Sequence, residues 1–270
     1  MTIKTMFSLS PDLASEDPVV KYAEQEFCST FGFDKEIYQF SFQSHGVTKY
    51  AKGLRSKLKG EFYPKYKKSE QKRHRRTIQV GSSSAQGTRV DNEIMKITGI
   101  GKNKKKRPKK LHKLTSAIVD KLEEQGHIFV ASQLPVNIDY WNRATQADLV
   151  TRKNGQLWMF EIKTGFPVGG FSKKGKLKPP LSRVDSTIYN HWQLQRHYTH
   201  QGLLVNGLQI TESRIIHAKF HRKKGIVCEI KSNPKWTEKI PKLPRKRKIT
   251  QKIKKVKRKG QKKEIVSSFF

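Results

Sequence analysis

The chain has 270 residues, with 57 Lys or Arg against 22 Asp or Glu, which gives a formal net charge of +35. This charge indicates a polyanionic partner, and nucleic acid is the first expectation because bound phosphates release counterions. Two cysteines are too few for a disulfide framework or a cysteine-based zinc site, and no apolar run approaches the roughly 20 residues that span a bilayer.

The location of the protein is expected to be intracellular, because the N-terminus lacks the apolar segment of a signal peptide. Two basic runs, residues 102–110 and 244–248, resemble nuclear localisation signals. They predict a nuclear location if the source is a eukaryote or a virus of eukaryotes. Simple phosphate binding is the competing explanation for both runs.

Residues 1–80 are predicted to form a basic and aromatic extension that is partly helical. Apolar spacing over residues 19–33 predicts one helix. Residues 49–76 interleave Lys and Arg with Tyr50, Phe62, Tyr63 and Tyr66. This mixture suits rings that stack on bases beside cations that contact phosphates. A solvated basic linker explains the same pattern equally well.

Residues 81–234 are predicted to form the folded core. Residues 81–87, Gly-Ser-Ser-Ser-Ala-Gln-Gly, predict a flexible joint at the start of that core. Helices are predicted at 88–96 (with Thr88 as N-cap), 111–126 and 186–202, and strands at 127–138, 213–220 and 226–230. The remainder, residues 235–270, is predicted to be a disordered basic tail, because residues 235–263 contain 15 Lys or Arg and one acid.

Residues 146–165 predict a β-hairpin whose turn is Asn154-Gly155, the strongest short-range indication of a type I′ turn. Lys153 would then pair with Gln156. Continued pairing would place Asp148 opposite Glu161 and Gln146 opposite Lys163, with Cβ atoms of opposed residues roughly 5 Å apart. The other face would turn four apolar side chains to the core, namely Leu149, Trp158, Phe160 and Ile162. Two facing carboxylates beside a lysine indicate a site for a metal ion.

An Asp followed on the next strand by Glu-x-Lys, here Asp148 and Glu161-Ile-Lys163, resembles the PD-(D/E)xK nuclease superfamily. The sequence Phe-Glu-Ile-Lys-Thr-Gly is similar to the motif of the RecB-like and lambda-exonuclease-like branches of this superfamily. Ala147, the residue before Asp148, occupies the position at which the superfamily motif has Pro. The resemblance implies an α/β restriction-endonuclease-like core with a central mixed sheet flanked by helices. It also implies Mg²⁺, with Mn²⁺ possible, bound by Asp148 and Glu161, and Lys163 as the catalytic lysine.

The resemblance further implies an acid from the helix ahead of the sheet and a Gln from the helix after it. Glu93 is the first choice for the acid and Asp91 the second, and an ordinary exposed helix acid is the plain alternative for Glu93. Gln193 is favoured on the later helix, together with His197. Gln195 with Tyr198 is the alternative pair, since residues three or four apart share a helix face.

The expected function is Mg²⁺-dependent hydrolysis of DNA phosphodiester bonds, in an exonuclease or a repair or recombination nuclease. The partner is expected to be nucleic acid, DNA rather than RNA, and not a membrane. Two alternatives stay open: a non-catalytic nucleic-acid-binding protein that keeps a nuclease-like fold, and an RNA-directed nuclease. The nine histidines show no paired spacing with Cys, so a zinc site is not expected.

Overall fold

The structure is a computed structural model that describes residues 7–34, 36–64, 80–100, 110–165, 172–221 and 224–243. For residues 80–84, 100 and 172–174 it describes the backbone alone. Several predictions lie outside these residues: the basic runs 102–109 and 244–248, Tyr66, and the larger part of the predicted tail, from residue 244 onward.

Within the described residues the chain alternates short N-terminal elements with longer helices and strands. The helices are α1 (Pro18–Ala23), α2 (Glu26–Ser29), α3 (Leu54–Glu61), α4 (Val80–Ile100), α5 (Lys113–Glu124) and α6 (Ile188–Val205). The strands are β1 (Ser8–Leu9), β2 (Gly32–Asp34), β3 (Gln39–Ser44), β4 (Val47–Gly53), β5 (Ile128–Ile138), β6 (Arg143–Lys153), β7 (Gln156–Thr164), β8 (Ser172–Lys176), β9 (Asp185–Thr187), β10 (Glu212–His221) and β11 (Gly225–Lys231). Two 3₁₀ helices cover Asp139–Trp141 and Lys235–Lys239.

Nine strands form one mixed sheet in the order β11-β10-β7-β6-β4-β3-β2, with β5 on β6 and β1 on β5. The pair β8–β9 forms a separate small sheet. Helices cover both faces of the large sheet. Helices α4 and α5 pack on one face through residues such as Ile94 and Ile118, and α3 and α6 pack on the other through residues such as Leu58 and Leu194. The α/β class with a large mixed sheet flanked by helices is therefore confirmed.

The long elements fall where hydrophobic periodicity places them. Helices α5 and α6 and strands β5, β10 and β11 match the predicted segments to within a few residues at each end. Gly126 has a φ of 77° just past α5, as expected for a glycine that ends a helix. In the part of the chain that the structure describes, no helix combines the length and the apolar character needed to cross a bilayer.

The N-terminal region differs from the predicted single helix over residues 19–33. The chain there forms α1, then α2, then strand β2, which pairs with β3. Phe31 stacks on Phe40 at a ring-centroid distance of 5.0 Å and packs with Phe42. These tertiary contacts and the β2–β3 pairing override the local helical spacing, as often happens for short segments.

Two further predictions are corrected. Residues 81–87 are helical and not a flexible joint, because α4 begins at Val80 and continues through Thr88, which is therefore not an N-cap. A Cβ at Gly87 would lie 3.5 Å from Oγ1 of Thr164, an ordinary contact distance, which places this part of α4 near the end of β7. The first part of the predicted tail is also folded, since Ile240 and Leu243 are buried in the core shared with α3 and α6.

Candidate active site

The predicted hairpin is present, with a turn at Asn154 and Gly155, whose φ angles are 50° and 75°. Positive φ at both central residues is what a type I′ turn requires. The β6–β7 pairs run from Lys153–Gln156 to Leu149–Phe160, in the predicted register. Leu149 and Phe160 are buried, and they pack with Ile162 and Trp158 as predicted.

Beyond Leu149 and Phe160 the two strands separate, so the expected pairs of Asp148 with Glu161 and of Gln146 with Lys163 are not formed. Oδ2 of Asp148 instead accepts a hydrogen bond from the backbone N–H of Ile162, at 2.8 Å. Past the separation, β7 stays paired with β10, through Glu161–Ile215 and Lys163–His217. The result is a wedge-shaped opening between β6 and β7.

The far side of this wedge is closed by β4. Strand β5 pairs with β6 from Arg143 to Arg152, so it takes one edge of β6 over nearly its whole length. Strands β7 and β4 share the other edge, β7 at residues 149–153 and β4 at residues 143–144. Residues 145–148 of β6 therefore face the opening, without a strand partner on that edge among the described strands.

Glu161 and Lys163 lie on the β7 side of the wedge. Nζ of Lys163 donates to Oε1 of Glu161 at 2.5 Å, with 19% of the lysine side chain and 0% of the glutamate side chain exposed. Oε2 of Glu161 is buried and has no hydrogen-bond partner among the residues that the structure describes. A buried carboxylate oxygen without a donor is costly, so this atom is suited to bind a ligand.

Asp91 of α4 lies close enough to this opening for the charges of Asp148, Lys163 and Glu161 to act on it. Burial raises the pKa of the Asp91 carboxyl to about 7, with the charge of Asp148 as the next cause, while Lys163 opposes the rise. Burial and the charge of Asp148 likewise raise the pKa of Glu161 to about 7. Burial also raises the pKa of Asp148, against the effect of Lys163. Three carboxyl groups therefore repel one another around a single lysine.

Glu93 does not join this cluster. Its Oε1 accepts from Nε of Arg89 at 3.0 Å, and its Oε2 accepts from the backbone N–H of His112 at 2.8 Å, at the start of α5. Burial raises the pKa of Glu93, but the nearby Thr115 hydroxyl and the hydrogen bonds from His112 and Arg89 outweigh it and hold the pKa below its ordinary value. The structure thus brings the second-choice acid, Asp91, to the carboxylates and leaves Glu93 as a link between two helices.

Lys163 keeps its positive charge in this setting. Burial lowers the pKa of its ammonium group, but the charges of Glu161 and Asp148 outweigh burial and hold the pKa above its ordinary value. The lysine therefore acts as a fixed cation inside the wedge at neutral pH.

Gln193 is buried and belongs to a hydrogen-bonded network on α6. Its Oε1 accepts from Nε of Arg196 at 2.9 Å, and its Nε2 donates to the hydroxyl of Tyr189 at 2.7 Å. Arg196 also donates to the carbonyl of Ser213, at 3.0 Å, and to its hydroxyl. Burial lowers the pKa of Arg196 to about 10, and the largest opposing influence is the charge of Glu161. Gln193 therefore holds a buried cation close to the carboxylate cluster.

Tyr198, from the alternative pair on α6, and His197, the predicted partner of Gln193, both pack away from the site. Tyr198 is buried in the larger core, where its ring stacks on Phe62 at a centroid distance of 5.7 Å and packs against Trp141 at 4.6 Å. The ring of His197 packs edge-on against Tyr198 at 5.2 Å. Burial lowers the pKa of His197 to about 3, so it stays neutral.

Three residues near the site are missing from the sequence prediction. Arg196 is one. Another is Gln133, which has a φ of 54° and whose side chain opposes the rise that burial causes in the pKa of Asp148. A positive φ on a non-glycine residue is uncommon and often marks a functional position. Arg55, at the start of α3, lies close enough for its charge to act on both Glu161 and Lys163. Arg55 lies 106 positions before Glu161, so no local pattern links the two.

The donor chemistry fits a divalent cation such as Mg²⁺, which prefers carboxylate and water ligands. The charges of Asp148 and Glu161 both act on Asp91, and Oε2 of Glu161 has no hydrogen-bond partner among the described residues. Among the described residues, no group of three or more His, Cys, Asp or Glu side chains is arranged to hold a metal ion. A cation here would therefore complete its coordination with water or a substrate oxygen.

Comparisons of this chain with protein-family models, with curated proteins and with solved structures return no match.

Proposed function

We propose that this protein is a metal-dependent nuclease that hydrolyses DNA phosphodiester bonds in the wedge between β6 and β7. The observation that supports the proposal most strongly is that burial and the charges of Asp148 and Glu161 raise the pKa of Asp91 while Lys163, paired with Glu161, opposes that rise. Like charges held this close in a buried space destabilise a fold unless a cation or a reaction makes use of them. The net charge of +35 supplies a second, independent argument for a phosphate-bearing substrate.

Each residue has a role that follows from its position. Asp148 and Glu161 would bind the metal, which when bound polarises a phosphate oxygen and lowers the pKa of bound water. Lys163 stays protonated and donates to an oxygen that gains charge in the transition state. Asp91, with a pKa of about 7, is suited to accept a proton from water near neutral pH. Gln193 positions Arg196 behind Glu161.

The exonuclease or repair and recombination role follows from the resemblance of the hairpin motif alone. The resemblance also favours DNA over RNA. A non-catalytic binding protein with the same fold and an RNA-directed nuclease are the competing functions, and both become outcomes of the same assay.

The test is a cleavage assay on end-labelled single-stranded DNA, duplex DNA and RNA, with Mg²⁺, with Mn²⁺ and with EDTA. We expect Lys163→Ala and Asp148→Asn to abolish metal-dependent cleavage of DNA. Lys153→Ala and Asp185→Asn serve as matched controls. Lys153 lies at the turn end of the same hairpin, and Asp185 forms an exposed ion pair with Lys176. Both controls should cleave as the wild type does.

The acid on α4 is tested in the same assay. Asp91→Asn should reduce cleavage by roughly a hundredfold or more, the usual scale for an acid–base group, whereas Glu93→Gln should retain cleavage per folded molecule. Wild type and Lys163→Ala giving equal, metal-independent signals on every substrate would refute the nuclease proposal. Cleavage of RNA without cleavage of DNA would show that the protein is an RNA-directed nuclease, the alternative function.

A further inference from the structure

Strand β4 presents one face that other elements leave uncovered. Thr48, Tyr50 and Lys52 are all exposed, and the two-residue period of a strand places them on the same face. Across the β3–β4 ladder, Tyr50 pairs with Ser41 and Thr48 pairs with Gln43. The face is thus polar, apart from one aromatic ring with 46% of its surface exposed.

Of the aromatic residues that the basic stretch 49–76 contributes, only Tyr50 is exposed among those described. Phe62 is buried and stacks on Tyr198. Tyr63 is partly buried and stacks on the ring of His191 at a centroid distance of 3.6 Å. The structure therefore uses Phe62 and Tyr63 for packing and leaves Tyr50 available to an external ligand.

Strand β4 leads to the edge of β6 that borders the candidate site. Strand β4 ends at Gly53, which pairs with Ala144 on the same edge of β6 that opens toward Asp148. Helix α3 begins at the next residue and carries Arg55 in its first turn, exposed and acting electrostatically on Glu161 and Lys163. Residues 47–60 contain five Lys or Arg and no acid, namely Lys49, Lys52, Arg55, Lys57 and Lys59.

We propose that Tyr50, Lys52 and Arg55 form a track that binds one single strand of DNA as it enters the wedge. This proposal deepens the proposed nuclease function, because it names the form of the substrate and its path. Tyr50 would stack on a base, while Lys52 and Arg55 would contact phosphates nearer the carboxylates. An unpaired strand is required, since an exposed ring on a sheet can stack only on a base outside a duplex.

The test measures binding of a fluorescein-labelled oligothymidylate to the full chain by anisotropy, in EDTA, over a series of salt concentrations. EDTA removes hydrolysis, so binding is read separately from catalysis. Lys52→Ala and Arg55→Ala should each lower the slope of log affinity against log salt by about 0.7, the loss of one contacted phosphate on a single strand. Tyr50→Leu should weaken binding by roughly fivefold or more.

The chain offers close controls for each variant. Lys49 lies on the same strand but on the opposite face from Lys52, and Lys59 lies one turn beyond Arg55 on α3. Tyr38 has 80% of its surface exposed and lies outside the track. Lys49→Ala, Lys59→Ala and Tyr38→Leu should therefore leave the slope and the affinity near the wild-type values.

Equal effects of Lys52→Ala and Lys49→Ala would overturn the track, because charge alone would then explain binding. A Tyr50→Leu loss of equal size on duplex DNA would overturn the single-strand assignment. A larger Tyr50→Leu loss on oligouridylate than on oligothymidylate would overturn the assignment to DNA. If the track variants lose binding while no protein cleaves DNA, the track stands and the nuclease proposal fails.

Discussion

The carboxylate of Asp148 accepts the backbone N–H of Ile162 at 2.8 Å, across the point where β6 and β7 separate. The side chain of Asp148 thus takes the place of a backbone carbonyl of β6 as the acceptor for this N–H group of β7. The negative charge of Asp148 still acts on the other charged groups of the site. Asp148 therefore has a structural role as well as a proposed catalytic one. Substitutions that keep the hydrogen bond should differ in stability from substitutions that remove it.

Asp148→Asn should keep the fold and lose activity. The amide oxygen of Asn can still accept the Ile162 N–H, whereas Leu at the same position leaves that donor unpaired, at a cost of about 1–3 kcal/mol. Urea unfolding at pH 7.5 without divalent metal should show Asp148→Leu destabilised and Asp148→Asn at least as stable as wild type. Equal destabilisation of the two variants would mean that the hydrogen bond to Ile162 contributes little.

Asp91→Asn should stabilise the metal-free protein. The folded-state pKa of Asp91 is raised from 3.8 to about 7, so the folded state loses stability as pH rises from 3.8 through 7. At pH 8 the charged carboxylate then costs the fold about 1–3 kcal/mol, allowing for relaxation. In EDTA at pH 8 the variant should melt above wild type, and the difference should vanish near pH 4.

Added Mg²⁺ provides the second half of that experiment. Because a ligand that binds only the folded state raises its stability, Mg²⁺ should raise the melting temperature of wild type more than that of Asp91→Asn. Glu93→Gln, on the same helix but away from the cluster, should respond to Mg²⁺ as wild type does. A wild type that melts above Asp91→Asn in EDTA would show that the carboxylates do not repel one another as described.

Gln193→Ala should destabilise the protein by about 1–3 kcal/mol, because Nε of the buried Arg196 loses its acceptor. Gln195→Ala, two residues away on the same helix and half-buried, is the control and should cost less. Chemical unfolding gives the stability, and cleavage per folded molecule gives any direct catalytic contribution. A loss of cleavage beyond tenfold in a fully folded Gln193→Ala protein would place Gln193 in the reaction itself.

Acid should destabilise the fold through His127. Its Nδ1 lies 2.9 Å from Oγ1 of Thr151, and its ring packs against Trp158 and Phe160. Burial lowers the pKa of His127 from 6.5 to about 4, so its contribution is present above pH 6.5 and is lost as pH falls toward 4.

The corresponding measurement compares the melting temperatures of wild type and His127→Gln at pH 7.5 and 4.5. The drop on acidification should be smaller in the variant, by an amount equivalent to about 1–2 kcal/mol of unfolding free energy. His45→Gln, on an exposed turn, should leave the drop unchanged. Identical drops in all three proteins would show that His127 is not held neutral by the fold.

The hairpin could be predicted because its determinants are local. An Asn-Gly turn and a two-residue period place Asp148, Glu161 and Lys163 at one end without any knowledge of the rest. The separation of the strands could not be predicted, because it depends on Asp148 taking the N–H of Ile162 and on β7 following β10 instead of β6.

The choice between Asp91 and Glu93 was predictable in principle. Residues two apart on an α-helix point about 200° apart, so the two acids cannot share a site. Gly87 lies four residues before Asp91, hence on the same side of the helix, and that side lies near Thr164 at the end of β7. The motif resemblance favours Glu93 because it compares positions along the chain only. The direction of a side chain around the helix does not enter that comparison.

Arg55 was beyond prediction, because the contact that brings it to the site is a parallel pairing of β4 with β6 between residues about 90 positions apart in sequence. The two-rung pairing at Arg143 and Ala144 has a practical consequence for expressing parts of this protein. A fragment that starts at residue 81 would contain all three carboxylates and the lysine, and hence every residue of the sequence motif. It would nevertheless lack the strand that closes the wedge, the arginine behind it and the apolar partners of α6, so such a fragment should be insoluble or inactive.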